Sequence, residues 1–478
     1  MKIIAYNFAA FPLFFVEVVK FSQEIDWFAI IPSYHHREIL ENALGKDKVL
    51  YLQEHLNKEM HKLVVMDELS KYPGSIYSDI GADKAVLKHK PKEYQLKNAF
   101  HTYRIYKEFI KKTDPDLVFF PIIETHDAMI LYKVCQELGV KTALYVHARN
   151  LGGSFLSPDC FESLPQYILD AKLDPQAELR AEKFISDFRK NFKPPSRSAV
   201  LPEEKDLISW SKPPFISRSS GYLRCTILNE EPHHISESTF SQKVKVNLLP
   251  ITKKVRKAKG EISRKFCDIR SLEELPDKCI YYPLHLTPES SINTPAPFFV
   301  DQLRAIDLIL YGMPSDHLLV VKEHPAVLGM RSFSFYEELK KRPGVVFADA
   351  FIPSIEIVKR ASLTISVTGT ACLEAFILGL PSMHLGKAFF SDYISSGSHI
   401  DLGNDIRSAI ARRPAQKEAK DLISRVFMAA SDFTLADPTD PYLDMRLVMN
   451  RKNMRVFLNT LISYVKETEK HMLVVKRR

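Results

Sequence analysis

The sequence lacks a long uninterrupted apolar run. Its longest candidate, Ile3 to Val19, is broken by Asn7, Pro12 and Glu17. It falls short of the roughly 20 residues a membrane-spanning helix requires. A lone Lys2 precedes this stretch and no small-residue cleavage pattern follows it, which argues against a secretory leader. Cysteine is sparse and scattered: Cys135, Cys160, Cys225, Cys267, Cys279 and Cys372 form no CxxC pair. Cys135 and Cys372 fall inside apolar helical patterns. That distribution excludes a disulfide framework and a structural zinc site and fits reduced, buried thiols. His233-His234 has no Cys or carboxylate at ligand spacing, so no metal is expected. No internal repeat and no low-complexity tract is present, which excludes a solenoid and a disordered scaffold. A concentrated basic domain with interleaved aromatics is also missing, and nucleic acid is excluded as a partner. The net charge is +8 and the pI about 8.9. Anionic sugar nucleotides and an anionic membrane surface are the more economical partners for that charge.

What is present is strand–helix alternation over 478 residues, enough chain for two or three domains. Strands are expected at Lys2 to Tyr6, Trp27 to Ile31, Lys48 to Leu52, Leu117 to Ile123 and Lys141 to Val146. Helices are expected at Pro12 to Ser22, Tyr34 to Leu44, Lys97 to Lys112 and His126 to Leu138. Such alternation argues an α/β fold with a parallel sheet. Residues 160–275 read differently. Pro194-Pro195, Pro213-Pro214 and Pro232 punctuate them, and helices are expected at Pro175 to Asn191 and Glu203 to Trp210. Lys243 to Lys265 is a basic run interleaved with apolar residues. It suits either an anionic leaflet or a solvated interdomain helix. After Tyr393 the chain turns helical and polar, with helices expected at Asn404 to Arg412, Ala415 to Ala430 and Met449 to Lys470.

The most informative stretch runs from Tyr282 to Tyr393. It repeats one grammar: an apolar run ends and polar or turn residues follow at once. Leu284-His285 is one such strand end. Leu318 to Val321 leads to Lys322-Glu323-His324-Pro325. Leu363 to Val367 leads to the turn Ser366–Thr370 and then to a helix, Ala371 to Leu378, stopped at Gly379. A further strand, Ser382 to Leu385, ends at Gly386. Open parallel sheets bind ligands outside the carboxyl ends of their strands. Backbone N–H groups at a helix N-terminus favour an anion. Hydroxyls of Ser366, Thr368 and Thr370 would add donors to a phosphate, His324 a hydrogen bond and Lys322 a point charge. The alternative is that Ser and Thr only cap the helix and that Lys322 and Glu323 form a surface pair.

Two strand ends of the amino-terminal half also carry candidate chemistry. Glu124, Thr125, His126 and Asp127 follow one strand; His147, Arg149 and Asn150 follow the next, with Asp159 beyond. Glu124, then His147 and Asp159, are the candidates for a catalytic carboxylate or base. Thr125 and Asp127 also suit a helix N-terminus. Arg149 is read either as an anion clamp or as the partner of a nearby carboxylate.

The order "strand, Pro-Leu", then VVKEHP, then S-x-T-G-T-A-x-L-E-A resembles the capsule polysaccharide biosynthesis family, which includes Kdo transferases. It is also similar to the His-Pro and Ser/Thr motifs of bacterial sialyltransferases. The resemblance covers about residues 279 to 395. It implies a GT-B-like fold: two doubly wound, Rossmann-like domains facing a cleft, with C-terminal helices. The implied division is 1–160 for the acceptor, 161–275 as helical insertion and basic linker, 276–400 for the nucleotide sugar and 401–478 as closing helices. It places His324 and Pro325 at the nucleotide, Ser366, Thr368, Gly369 and Thr370 at its phosphate, and Glu374 near a ribose. The family often has Gln in the strand that here ends Leu284-His285, and Gly where this chain has Cys372. The implied activity is a cytoplasmic glycosyltransferase at the inner face of the membrane. It would use a CMP-sugar such as CMP-Kdo, a glycan or glycolipid acceptor and no cofactor. A UDP-sugar transferase, a sugar-nucleotide epimerase and an inactive assembly scaffold are the alternatives.

Overall fold

A computed structural model describes residues 1–8, 11–32, 36–83, 87, 90–191, 249–285, 290–293, 296–397, 401–435 and 448–475. The readings at Glu203 to Trp210, at the prolines between 194 and 232, at His233-His234, at 243–248 and at Lys476 to Arg478 lie outside these residues.

Two sheets organise the chain. The first holds β1 (Lys2–Tyr6), β2 (Asp26–Ile31), β3 (Val49–Tyr51), β4 (Leu117–Phe120), β5 (Lys141–His147) and β6 (Ser154–Ser157), in the spatial order β3-β2-β1-β4-β5-β6. The second holds β7 (Cys279–Pro283), β8 (Leu318–Lys322), β9 (Val345–Ala348), β10 (Leu363–Ser366), β11 (Ser382–His384) and β12 (Ser395–Ser396), in the order β12-β11-β10-β7-β8-β9. Counted from its own first strand, each sheet has the same doubly wound order, 3-2-1-4-5-6. The β5–β6 pair is antiparallel, Leu144 lying opposite Ser157. The α/β architecture expected from the alternation is therefore the one observed, with the two doubly wound sheets of the GT-B-like fold that the resemblance implied.

The strands form where the sequence offers short, wholly apolar runs. LVFF of β4 and the core of LLVVK in β8 are buried, as strands covered on both faces require. One boundary differs from expectation. The strand expected to reach Ile123 stops at Phe120, because Pro121 has no N–H to continue the ladder. Strands β6, β9 and β12 carry weaker patterns and were not anticipated.

Helices cover both faces. Helix α1 (Phe11–Phe21) packs on one face of the first sheet; α2 (Lys92–Thr113) and α3 (His126–Leu138) pack on the other. Helix α4 (Pro175–Asn191) ends the first half, and α5 (Leu249–Arg264) leads into the second. Helix α6 (Thr370–Leu378) lies against the second sheet between β10 and β11. The last two helices among the described residues, α7 (Gln416–Ala429) and α8 (Arg451–Val475), return to the first half. Phe457 of α8 sits edge-on to Phe14 and Phe119, with ring centroids 5.5 and 5.2 Å apart. Burying one such ring contributes about 2 kcal/mol. Arg425 of α7 donates to the carbonyls of Ile168 and Leu169 at 2.8 and 2.7 Å.

This return matters for the site. Phe155, Phe188, Cys372, Phe376 and Phe427 belong to one continuous core that spans both halves. Ser154 and Ser431 exchange backbone hydrogen bonds at 2.9 and 2.8 Å, which covers the edge at β6. Gly153 makes that approach possible. Its φ is +75°, and a Cβ there would stand 3.0 Å from the Ser431 carbonyl oxygen.

Candidate functional site

The site is assembled from strand ends of the second sheet. His285, just past β7, is buried, and its Nε2 accepts the N–H of Val367 at 3.1 Å. That bond places the ring proton on Nδ1. Burial, reinforced by the charges of Arg149 and Arg331 and by His324, pushes the imidazole down to about 3, so it is neutral at physiological pH. The residues after Val367 form the turn into α6. Gly369 is the residue capping that helix, with no side chain bonded to the helix end. A Cβ at Gly369 would lie 3.2 Å from Cε1 of His285 and 3.3 Å from Cβ of Ser366. A side chain at Gly369 would therefore crowd the histidine ring.

His324, past β8, is half-buried. Burial, then the charge of Lys322, pushes its imidazole down to about 4. Its backbone N–H donates to Glu323 at 2.9 Å. Glu323 is fully buried and also accepts from Arg331 Nε at 2.6 Å and from the Tyr336 hydroxyl at 3.1 Å. Arg331 in turn donates through Nη2 to the carbonyl of His285 at 2.5 Å. A buried carboxylate therefore aims an arginine at the residue that braces the α6 turn. Pro325 opens a short helical turn, Pro325–Val327, closed by the Val327 N–H on the His324 carbonyl at 3.0 Å.

Across the cleft, Arg149 stands just past β5 with φ +50°. It pairs with Glu162 and donates through Nη1 to the carbonyl of Thr368 at 3.3 Å. Its guanidinium lies 6.0 Å from the ring centroids of both Phe389 and Phe390. Of the two sequence readings of Arg149, the nearby carboxylate partner is present, and the guanidinium also reaches the turn that the second sheet presents. Strand ends of the two sheets face each other at this point.

Three expectations are corrected. Lys322 does not stand free at its strand end. It is only 3% exposed and gives its ammonium to the Ala350 carbonyl at 2.9 Å. Burial pushes it down to about 8. A strand alternates its side chains between faces, and the parity of β8 turns Lys322 inward beside Val320. Ser366 does not offer its hydroxyl outward either. That oxygen accepts the Gly369 N–H at 3.0 Å and lies 3.1 Å from Cys372 Sγ, closing the turn from inside. Asp159 is used by its own loop, accepting the N–H groups of Phe161 and Ser163 at 2.9 and 3.1 Å. It is not placed as a base.

The remaining candidates keep their strand-end positions. Thr368 is buried and Thr370 is half-exposed as the first residue of α6. Glu374 is buried one turn further in, within electrostatic reach of Tyr281. Glu124 is half-buried ahead of α3, and His147 is exposed at the end of β5. Thr125 precedes α3 as expected, but its hydroxyl meets Tyr6 at 3.3 Å instead of capping the helix. Asp127 accepts from the hydroxyls of Tyr6 and Tyr106 at 2.7 and 3.3 Å, and His126 bonds Asp83 and Asn98. Both serve the core of the first half. Among the described residues no group of three metal-ligating side chains converges.

Arg331, Glu323 and His384 are the residues that sequence reasoning missed. Glu323 was weighed only as half of a surface pair, and Arg331 lies in a loop with no recognisable pattern. His384 does end a strand, so the rule that found His285 and His324 would have found it. Together these groups suit an anion: N–H groups at a helix start, neutral imidazoles able to donate, and two arginines.

No curated protein matches the sequence. Among solved structures, the chain is similar to the KpsC β-Kdo 2,7 transferase of Thermosulfurimonas dismutans. That match has 13% identity and a TM-score of 0.35, and covers 67% of this chain and 79% of that one. It is also similar to the UDP-GlcNAc 2-epimerase of Methanocaldococcus jannaschii, with 13% identity, coverage of 89% and 98%, and a TM-score of 0.25. A third likeness is to Anabaena HepE in complex with UDP-glucose, at 10% identity, coverage of 97% and 100%, and a TM-score of 0.25. The model of the capsule polysaccharide biosynthesis protein family matches residues 220–426. That region carries the whole second sheet with its histidines, its arginine and its helix turn, so the likeness to the capsule polysaccharide biosynthesis family lies in the part of the chain that holds these strand ends.

Proposed function

We propose that this protein is a glycosyltransferase of surface polysaccharide assembly, holding a nucleotide sugar on the second sheet and the acceptor on the first. One observation carries the reading. Neutral His285 and His324 and the open start of α6 meet at adjacent strand ends, within the region that matches the family. In this reading His324 and Pro325 face the nucleotide, while Thr368, Gly369, Thr370 and the α6 N–H groups face its phosphate. Glu374 faces the ribose. A CMP-linked acidic sugar such as CMP-Kdo is the donor that the sequence resemblance favours.

The transfer breaks the bond between the anomeric carbon and the phosphate oxygen, whose electron pair leaves with the nucleotide. The acceptor hydroxyl oxygen bonds that carbon, and its proton passes to Glu124 or His147. Pre-set donors around the departing phosphate are the main catalytic lever of such a site. The glycan or glycolipid acceptor puts the work at the cytoplasmic face of a membrane. Helix α5 suits that place, because it exposes Val255, Lys257 and Ile262 to solvent. No helix among the described residues is long and apolar enough to cross a membrane.

Calorimetry with CMP and UMP tests the donor site. His324→Ala is expected to weaken nucleotide affinity about tenfold, and unchanged affinity overturns the assignment. Incubation with CMP-Kdo and a glycolipid acceptor is expected to release CMP. Binding without turnover would leave only a scaffold.

A further inference from the structure

His384 ends β11 and is 1% exposed. Neither of its ring nitrogens has a hydrogen-bond partner. Buried polar atoms are almost always paired, so an imidazole left open on both sides calls for an explanation. The ring is not far from the site. In the parallel ladder His384 lies directly opposite Ser366, and directly paired residues send their side chains to the same face. Ser366 sends its hydroxyl toward Gly369 and Cys372 in the first turn of α6. His384 therefore leaves the sheet toward the start of that helix. Its ring stands edge-on to Phe390, with centroids 4.7 Å apart, and Arg149 borders the same Phe390 ring. Burial, then the charge of Arg149 and the neighbouring His285, keeps the imidazole neutral.

We propose that His384 is a donor-site residue whose ring hydrogen-bonds a phosphoryl oxygen of the bound nucleotide, beside Arg149 and the first N–H groups of α6. The inference rests on the nucleotide-sugar reading above and adds a contact to it. A neutral imidazole supplies one N–H without adding charge, and Arg149 supplies the charge. The ligand reaches the ring when Arg149 exchanges the Thr368 carbonyl for a phosphoryl oxygen. The present Arg149 contact is 3.3 Å long, and a charged acceptor is the stronger partner.

The test uses the full chain and His384→Phe, which keeps a ring in place and removes both nitrogens. Calorimetry with CMP, UMP and inorganic phosphate is paired with thermal melting. The variant is expected to melt at or above the wild-type temperature, because unpartnered nitrogens are gone, yet to bind the nucleotide at least tenfold more weakly. Affinity within twofold of wild type overturns the inference and leaves the donor site standing. A wild-type protein that binds none of the three probes overturns both. If the variant does not fold, nitrogen NMR of the histidine rings in the wild-type protein decides. A His384 resonance that moves as CMP saturates supports the contact, and one that stays at its free position overturns it.

Discussion

The two sheets share one strand order, yet His126 in the first half and the strand-end histidines of the second are held differently. In the first half, His126 is enclosed with a partner on each ring nitrogen, Asp83 at 2.5 Å and Asn98 at 2.9 Å. Burial alone would lower its imidazole, but the Asp83 carboxylate prevails and holds it above the ordinary value. In the second half, His285, His324 and His384 sit at strand ends and are all pushed down by burial. The first set is closed on itself. The second stands beside arginines and a helix start. A doubly wound sheet offers the same crevice twice, and the His384 ring with both nitrogens unpartnered favours the second as the donor crevice proposed above.

That comparison can be broken. The largest effect is expected from Asp83→Ala, which strands a buried charged histidine. Chemical denaturation should show a loss of about 3–5 kcal/mol. A loss under about 1 kcal/mol would mean that the first half is not closed in the way described.

Next comes pH. The three lowered histidines contribute stability that is fully present above their unfolded value of 6.5 and is lost as pH falls toward 4 and 3. His126 works in the other direction. Its contribution is full below 6.5 and fades as pH rises through its raised folded value. Denaturation at pH 7, 5.5 and 4.5 should show stability falling by a few kcal/mol. His384→Phe should flatten the slope by about one proton, or about 1.4 kcal/mol per pH unit at its steepest. An unchanged slope would show that His384 titrates normally.

The smallest effect sharpens the site itself. Gly369→Ala places a methyl against His285 and Ser366 and should cost about 1 kcal/mol. The same change should weaken nucleotide binding severalfold by shifting the turn. A variant with wild-type stability and affinity would show that the turn tolerates a side chain.

Much of this frame was legible beforehand. Leu363 to Val367 and Leu318 to Val321 were read as strands because buried parallel strands leave a run of apolar residues that local inspection can see. The turn after β10 was readable because Gly369 and Thr370 precede an apolar helix that ends at Gly379. Strand β6, SFLS, was not readable, since two apolar residues between serines make no apolar run, and only its pairing with β5 and its bridge to Ser431 define it. The direction of Lys322 was not readable either. Lysine at a strand end reads as exposed, and only the packing of β8 against its neighbours turned it to the Ala350 carbonyl.

The sequence by itself determined the two runs of alternating strands and helices, and with them the row of polar residues at each strand end. Hydrophobic periodicity is local and survives without knowledge of partners. Tertiary structure alone decided which of those residues meet. Arg149 reaches Thr368 across 219 positions of chain, Glu323 directs Arg331 to His285, and His384 is left with open nitrogens. These outcomes depend on how two sheets and the returning helices pack. Long-range contacts of that kind leave no periodic trace in the order of the residues.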